Sequence, residues 1–249
     1  MESRWRQKTY KLYNPKSPEP FGLSRTKIDF SLECPKCFYL DRRYGIGRPD
    51  MPAFTLNKAV DTLLKKEFDI YRAKGEAHPL MKRYGLDAIP FAHADMDKWR
   101  ENFVGVQYIH KPTNFLVFGA VDDVWINKKG ELIVVDYKAT STTKEISLED
   151  EYKQGYKRQM EVYQWLLRRN GFGVSETGYF VYVNGKDDRA AFDGKLEFDV
   201  QLIAYTGNDA WVEDAVMGAY KILNSEKIPA TGARCEYCPY VAARNKTEK

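Results

Sequence analysis

The alternation of apolar and polar positions predicts helices first, then strands, then a further mixture of both. Ser24 is expected to cap a short helix that leads to Cys34. Further helices are predicted over about residues 35–43 and 55–72, with helical turns to about residue 103. The second half is predicted to contain strands over about 104–109, 115–126, 132–139, 176–183 and 196–202, with helices over about 149–169 and 209–223.

The strand predicted over 132–139 begins with Leu-Ile-Val-Val, an apolar run without alternation. Such a run is typical of a central strand that is buried on both faces. The preceding strand begins with Phe-Leu-Val-Phe at 115–118, and Asn-Lys-Lys-Gly at 127–130 predicts the hairpin turn that joins the two. The two strands are therefore expected to be neighbours in one sheet.

Charged residues stand at the ends of these two strands. Asp122 follows Gly119 by three positions, and Asp136-Tyr137-Lys138 ends the apolar run. Because side chains alternate along a strand, Asp136 and Lys138 are expected on one face and Tyr137 on the other. The carboxylates of Asp122 and Asp136, with the main-chain carbonyl of Tyr137, are oxygen ligands of the kind that Mg²⁺ takes.

A divalent ion at that position would polarise a phosphoryl oxygen and lower the pKa of bound water. Lys138 would then orient the attacking water or neutralise charge that develops in the transition state. The alternative for an Asp-x-Lys sequence is a solvated ion pair. The buried strand before it favours a site, because open α/β sheets place their sites at strand ends.

The helix predicted over 149–169 carries Gln159 and Tyr163, which lie four residues apart and so on one face. The succession of Gly119-x-x-Asp122, Asp136-x-Lys138 and Gln159-x-x-x-Tyr163 resembles the RecB-like branch of the PD-(D/E)XK nuclease superfamily. That branch includes the nuclease domains of bacterial helicase-nucleases and the CRISPR-associated RecB-like exonucleases. The resemblance implies that Gln159 and Tyr163 hold the DNA strand or the groups that support the metal ligands.

The same family has an upstream helix that usually supplies a metal-binding His. The matching segment here is 56–65, and Asp61 stands in the His position. The three histidines, His78, His93 and His110, lie outside it. The resemblance implies that Asp61 is a third ligand for Mg²⁺ or Mn²⁺, and a solvated helical Asp is the alternative.

The four cysteines form two Cys-x-x-Cys pairs, Cys34/Cys37 and Cys235/Cys238, near opposite ends of the chain. A disulfide framework is not expected, because the N-terminal residues show no secretory signal and cytosolic thiols are kept reduced. Two pairs exceed the needs of one thioredoxin-like redox centre. Zinc or an iron–sulfur cluster remains, and tetrahedral thiolate ligation suits either.

The family resemblance implies a four-iron, four-sulfur cluster whose cysteines bracket the nuclease core. The usual division is one cysteine upstream and three downstream, whereas this chain has two and two, so zinc stays open. In either case, the centre is expected to act as a structural staple that closes a loop of roughly two hundred residues.

The first 22 residues are predicted to form a basic arm. Aromatic residues alternate there with cations, so the arm would contact phosphates and stack bases, and a solvated tail is the alternative. The residues concerned are Arg4, Trp5, Arg6, Lys8, Tyr10, Lys11, Tyr13 and Lys16.

The composition is compatible with one soluble, cytoplasmic domain. The chain has 249 residues, 43% of them hydrophobic, and a formal charge of +4, and no run is long enough to span a membrane. The predicted fold is an α/β restriction-endonuclease-like core, a mixed central sheet flanked by helices, with an N-terminal helical subdomain stapled to the C-terminus by the four-Cys metal site. Its expected divisions are an arm (1–22), a nuclease domain (23–242) and a polar tail (243–249).

The predicted function is an Mg²⁺- or Mn²⁺-dependent deoxyribonuclease, acting as an exonuclease on single-stranded DNA. A helicase or a CRISPR integrase is the expected protein partner. One alternative is a non-catalytic nucleic-acid-binding subunit, for which loss of Asp136 or Lys138 would have been a sign. Another is a cluster-bearing redox or sensor protein, which would make no use of those two residues.

Overall fold

The computed structural model describes residues 5–50 and 55–247. They divide into two compact units. Unit 1 comprises the described residues within 1–52, 107–118 and 210–249, and unit 2 comprises those within 53–106 and 119–209. None of the helices in the described ranges combines the length and apolar content needed to cross a bilayer.

The elements follow one another in this order: β1 (Phe21–Ser24), α1 (Arg25–Glu33), α2 (Pro35–Tyr44), α3 (Thr55–Lys74), α4 (Pro79–Arg83), β2 (Ala88–Pro90), α5 (Met96–Arg100), β3 (Val106–His110), β4 (Phe115–Gly119), β5 (Asp123–Asn127), β6 (Leu132–Thr140), a 3₁₀ turn (Glu151–Lys153), α6 (Gln154–Arg169), β7 (Thr177–Gly185), β8 (Phe198–Thr206), α7 (Trp211–Leu223) and α8 (Tyr237–Thr247).

Unit 2 is built on a five-stranded mixed sheet with the order β2-β5-β6-β7-β8. The β6–β7 pair is parallel, and the other pairs are antiparallel. The predicted central position of β6 is confirmed: it has a neighbour on each side, and its first six residues are all buried. An unbroken apolar run produces this burial because both faces of the strand are covered.

Helices α3 and α6 cover opposite faces of the sheet. On one face, the Phe68 ring of α3 stacks on Trp125 with centroids 5.3 Å apart and contacts Tyr137 at 5.8 Å. On the other face, α6 comes so close to β7 that a Cβ at Gly178 would stand 2.4 Å from the Met160 sulfur. The predicted mixed sheet flanked by helices is therefore confirmed. Truncating Phe68 to Ala would cost about 3–5 kcal/mol.

Unit 1 contains a three-stranded sheet with the order β1-β4-β3, packed with α1, α2 and α7. The rings of Tyr13, Phe21 and Phe115 meet with centroids 5.1 to 5.9 Å apart. Between α1 and α2, Cys34 adopts an extended conformation and caps α2, its sulfur accepting the Cys37 N–H. Pro35 then starts α2, since the first helical position needs no N–H.

The strand predicted over 115–126 is wrong in one respect, because the chain forms two strands in different sheets. Residues 120–122 leave the strand conformation between β4 and β5, and the Val121 N–H donates to the Trp99 carbonyl at 3.0 Å. The turn is tight, since a Cβ at Gly105 would lie 2.3 Å from the Gly119 carbonyl oxygen. This diversion separates Asp122 from the strand that precedes it.

Other boundaries also differ from the prediction. The helix predicted from 149 opens as the 3₁₀ turn and becomes α6 at Gln154. Strands β1 and β2 have four and three residues, too short for a periodic signal. Residues 243–247 of the expected polar tail belong to α8, and residues 248–249 lie outside the described part.

The N-terminal segment is held along α2 from residue 5 onward. The Trp5 indole N–H donates to the Gly47 carbonyl at 2.8 Å. The Lys8 N–H donates to Gly45, and the Tyr13 N–H donates to Arg42, at 2.9 and 2.8 Å. Of the basic arm residues, Arg4 lies outside the described part. Binding of nucleic acid by this segment stays a prediction.

Candidate active site and metal centre

Strand pairing brings Asp122 beside the Asp136-x-Lys138 segment. Because β5 and β6 are antiparallel with Asp123 opposite Val135, the residue before Asp123 lies beside the residues after Val135. The Asp122 carboxylate accepts the Tyr137 N–H at 2.9 Å. The structure thus brings together the three residues of the predicted strand-end motif.

Lys138 forms an ion pair with Asp136, which is fully buried. Burial alone would lower the pKa of Lys138, but attraction to Asp136 and then to Asp122 outweighs it and raises that pKa. The amine therefore stays charged at neutral pH. Its charge can neutralise a phosphate or orient a water molecule, but the amine is not suited to accept a proton.

Side chains of helix α6 contact the Lys138 amine. Lys138 Nζ lies 3.4 Å from the Gln159 amide oxygen and 4.5 Å from the Tyr156 ring centroid. The Gln159 amide nitrogen donates in turn to the Tyr163 hydroxyl at 3.1 Å. The predicted proximity of Gln159 and Tyr163 is observed. Tyr156 was not predicted, although it lies three residues before Gln159 and so on the same face.

Helix α3 carries Asp61 and Lys65, and the lysine links Asp61 to Asp122. Lys65 Nζ lies 2.9 Å from an Asp61 carboxylate oxygen and 3.4 Å from Asp122 Oδ1. Burial, followed by repulsion from Asp122, raises the pKa of Asp61. Attraction to Asp122 and Asp61 raises the pKa of Lys65, although burial opposes it. Sequence reasoning missed Lys65, whose four-residue spacing from Asp61 was the available signal.

Behind the site, Asp123 anchors β5 to the neighbouring elements. Its carboxylate is fully buried and accepts the Tyr137 hydroxyl at 2.8 Å. Its further donors are Arg72, Arg100 at 2.9 Å, the Trp125 indole N–H at 3.2 Å and the Val124 N–H at 2.8 Å. Burial and the adjacent Asp123 raise the pKa of Tyr137, which keeps its phenol protonated. These contacts fix the β6 segment that carries Asp136 and Lys138.

The donor chemistry of this site fits a hard divalent ion. The carboxylates of Asp61, Asp122 and Asp136 and the carbonyl of Tyr137 all offer oxygen. The ammonium groups of Lys65 and Lys138 pair with these three carboxylates, so the site already attracts positive charge. Within the described ranges, the cysteines are the one group of three or more His, Cys, Asp or Glu ligands whose donor atoms all lie within 4.8 Å of one another. The carboxylates are arranged around lysine amines.

The predicted meeting of the four cysteines is confirmed. Their sulfur atoms all lie within 4.8 Å of one another. Cys37 Sγ is 3.6 Å from Cys235 Sγ and 3.3 Å from Cys238 Sγ, and Cys34 Sγ is 3.9 Å from Cys238 Sγ. The sulfurs also accept hydrogen bonds from the backbone. Cys34 Sγ accepts the N–H groups of Cys37 and Gly232, both at 3.4 Å, and Cys235 Sγ accepts the Cys238 N–H at 3.5 Å. This chemistry can hold a thiophilic metal and so join the two distant segments.

Arg48 lies against the cysteines and was not predicted. Its Nη2 donates to Cys235 Sγ at 3.3 Å and its Nη1 to Glu33 at 2.7 Å. The guanidinium lies between the rings of Phe30 and Tyr237, at 4.6 and 4.4 Å from their centroids. The pKa of Cys235 is lowered to about 7, because hydrogen bonds from the Cys238 backbone and the neighbouring thiols outweigh its burial.

Comparisons with known proteins identify a family for most of the chain. The sequence model of the PD-(D/E)XK nuclease superfamily matches residues 56–243. That range includes Asp61, Lys65, Asp122, Asp136 and Lys138. A solved structure titled "Crystal structure of SSO0001" is 16% identical, with a TM-score of 0.42; the match covers 84% of this chain and 79% of that one. No curated protein gives a match.

Proposed function

Since the chain belongs to the PD-(D/E)XK nuclease superfamily, whose members are typically metal-dependent nucleases, we propose that it hydrolyses phosphodiester bonds in DNA. The observation that carries the proposal is the hydrogen bond from the Tyr137 N–H to Asp122. It holds Asp122 beside the Asp136-x-Lys138 segment, and the charges of both carboxylates stabilise the ammonium form of Lys138.

Asp122, Asp136 and the carbonyl of Tyr137 would hold Mg²⁺ or Mn²⁺, with Asp61 as a further ligand. When bound, the ion supplies Lewis-acid polarisation of the phosphoryl oxygen and a lower pKa for its water. Lys65 now stands between Asp61 and Asp122. We propose that its ammonium offsets the charge of these two carboxylates and would give way to the ion if Asp61 served as a ligand.

Lys138 supplies a fixed positive charge beside the scissile phosphate. Its amine would neutralise charge on the phosphoryl oxygens in the transition state and position the attacking water. The Gln159 amide oxygen limits where the amine can point, and Tyr163 in turn orients Gln159. Gln159 and Tyr163 would therefore act by holding Lys138 and the nearby DNA strand in register.

We further propose that the chain belongs to the RecB-like branch and acts as an exonuclease on single-stranded DNA. The aromatic content of 14% supports stacking of unpaired bases. In the N-terminal segment, Trp5 and Tyr10 are exposed on unit 1 among basic residues. A helicase or a CRISPR integrase would deliver such strands, and these two remain the proposed partners.

The proposal is tested by incubating the purified protein with end-labelled single-stranded DNA, duplex DNA and RNA. Each substrate is offered with EDTA, Mg²⁺ or Mn²⁺, and products are followed from both ends. We expect metal-dependent cleavage, fastest on single-stranded DNA, with mononucleotides or short fragments released progressively from one end. Cleavage that persists in EDTA would refute the metal role. Specific binding with no cleavage under any metal would favour the non-catalytic subunit.

A further inference from the structure

The four cysteine sulfurs are spaced for one metal ion. Four thiolates at a Zn–S distance of about 2.3 Å, in a tetrahedron, stand about 3.8 Å from one another. Three contacts here are 3.3, 3.6 and 3.9 Å, and each of them links one sequence pair to the other. The two pairs therefore interleave around a common centre.

A four-iron cluster needs a wider set of ligands. Each thiolate binds a different iron at a different corner of the cube, so the sulfur atoms stand roughly 6 Å apart. The observed upper limit of 4.8 Å is well below that separation. The four-iron, four-sulfur centre that the family resemblance implies does not fit this arrangement.

The backbone around the centre resists opening. A Cβ at Gly232 would lie 2.0 Å from the Glu33 carbonyl oxygen and 2.9 Å from the Cys34 Cα, so the two segments touch through their main chains. The Gly232 N–H also donates to Cys34 Sγ at 3.4 Å. To widen the sulfur cage, these contacts would have to break, because the cysteines sit directly beside them.

Arg48 places a positive charge beside the four cysteines. Four thiolates around one divalent ion carry a net charge of −2, and that charge is costly to bury without donors. Arg48 places a guanidinium N–H 3.3 Å from Cys235 Sγ. Its orientation is fixed by Glu33 on one side and by the rings of Phe30 and Tyr237. Such hydrogen bonds to ligands orient them and tune the affinity for the metal.

We infer that the four cysteines hold a single tetrahedral zinc ion in place of an iron–sulfur cluster, with Arg48 as the residue that positions and partly neutralises Cys235. The inference does not depend on the proposed nuclease activity, because its evidence lies in unit 1 and its test reads metal content and stability.

The first test is metal analysis of the whole protein purified without oxygen from cells supplied with both iron and zinc. We expect one zinc per chain and a colourless sample, because zinc is d¹⁰. In parallel, metal-free protein is offered either zinc or ferrous iron with sulfide, and thermal unfolding is followed. Zinc should restore the stability, whereas iron with sulfide should not. A brown product with about four irons per chain, a band near ~400 nm and restored stability would overturn the inference.

The second test concerns Arg48. We expect Arg48→Met to release zinc to a chelator about tenfold faster or more, the lower end of the effect typical for partners of metal ligands. Arg48→Lys, which keeps the charge, should lie between that variant and the wild type. Lys221→Met is the matched control, since it removes an exposed cation elsewhere in unit 1. If both Arg48 variants release zinc at the wild-type rate, Arg48 does not position Cys235 for the metal.

Discussion

Two neighbouring aspartates, Asp122 just before β5 and Asp123 at its start, provide a matched pair of substitutions. Asp123 is fully buried and accepts hydrogen bonds from Arg100, Tyr137 and other donors. The Asp122 side chain is 23% exposed and accepts the Tyr137 N–H. We predict that Asp123→Asn mainly destabilises the fold, whereas Asp122→Asn mainly abolishes cleavage. The two changes are chemically identical and occur at adjacent positions.

The magnitudes follow from the partners that each change leaves behind. Breaking a buried ion pair costs 3–5 kcal/mol when the remaining charge has no other partner. In Asp123→Asn, Arg72 and Arg100 keep their pairs with Asp69, so we expect the lower end, about 3 kcal/mol. That loss corresponds to a fall in Tm of about 6–12 °C.

Asp122→Asn should lower the free energy of unfolding by less than about 1 kcal/mol, because its partly exposed ion pair with Lys65 contributes little to stability. The new amide oxygen can still accept the Tyr137 N–H. The substitution also removes the repulsion from Asp122 that, after burial, raises the pKa of Asp61. We expect Asp122→Asn to lose cleavage because it removes a carboxylate that would hold the divalent ion.

The measurement is thermal and urea unfolding of both variants, together with cleavage rates at a temperature where all samples are folded. We expect a crossed result, in which Asp123→Asn unfolds earlier but cleaves and Asp122→Asn is stable but inactive. Equal loss of stability in both variants, or a stable Asp123→Asn, would refute the assignment of separate roles.

Three further predictions concern the site and its substrate. Lys138→Met should nearly abolish cleavage but leave DNA binding intact, and adding Asp136→Asn should lower the cleavage rate little further. Cleavage rates and DNA binding are measured on the same samples. In a titration with Mg²⁺, Asp61→Ala should raise the Mg²⁺ concentration for half-maximal cleavage, and Lys65→Met should lower it. If neither variant shifts that concentration, Lys65 does not compete with the ion for Asp61 and Asp122. DNA affinity should fall steeply with salt, and deletion of residues 1–17 should weaken it, whereas a flat salt response contradicts backbone binding.

The parts of the site that follow a local pattern were predictable from the sequence. The apolar run of β6 identifies a central strand, and alternation assigns Asp136 and Lys138 to one face. Helical spacing likewise pairs Gln159 with Tyr163. These inferences succeed because they depend only on neighbours in sequence and on the geometry of one element.

The contacts that join distant elements were not predictable in this way. Lys65 meets Asp122 across 57 positions, and Arg48 meets Cys235 across 187. Asp123 looks in sequence like a second polar residue at a strand end, but it is buried because two arginines from other elements satisfy it. A buried charge depends on such partners, which sequence spacing does not reveal.

We propose that Asp136 and Lys138 form the centre of a metal-dependent nuclease. The decisive measurement is the single-turnover rate on labelled single-stranded DNA with Mg²⁺, for wild type, Asp136→Asn and Asp87→Asn purified identically. Asp87 is the control because its side chain is 64% exposed on the same unit. We predict cleavage by wild type and Asp87→Asn and a rate near background for Asp136→Asn. Equal rates in all three samples would show that Asp136 has no part in cleavage.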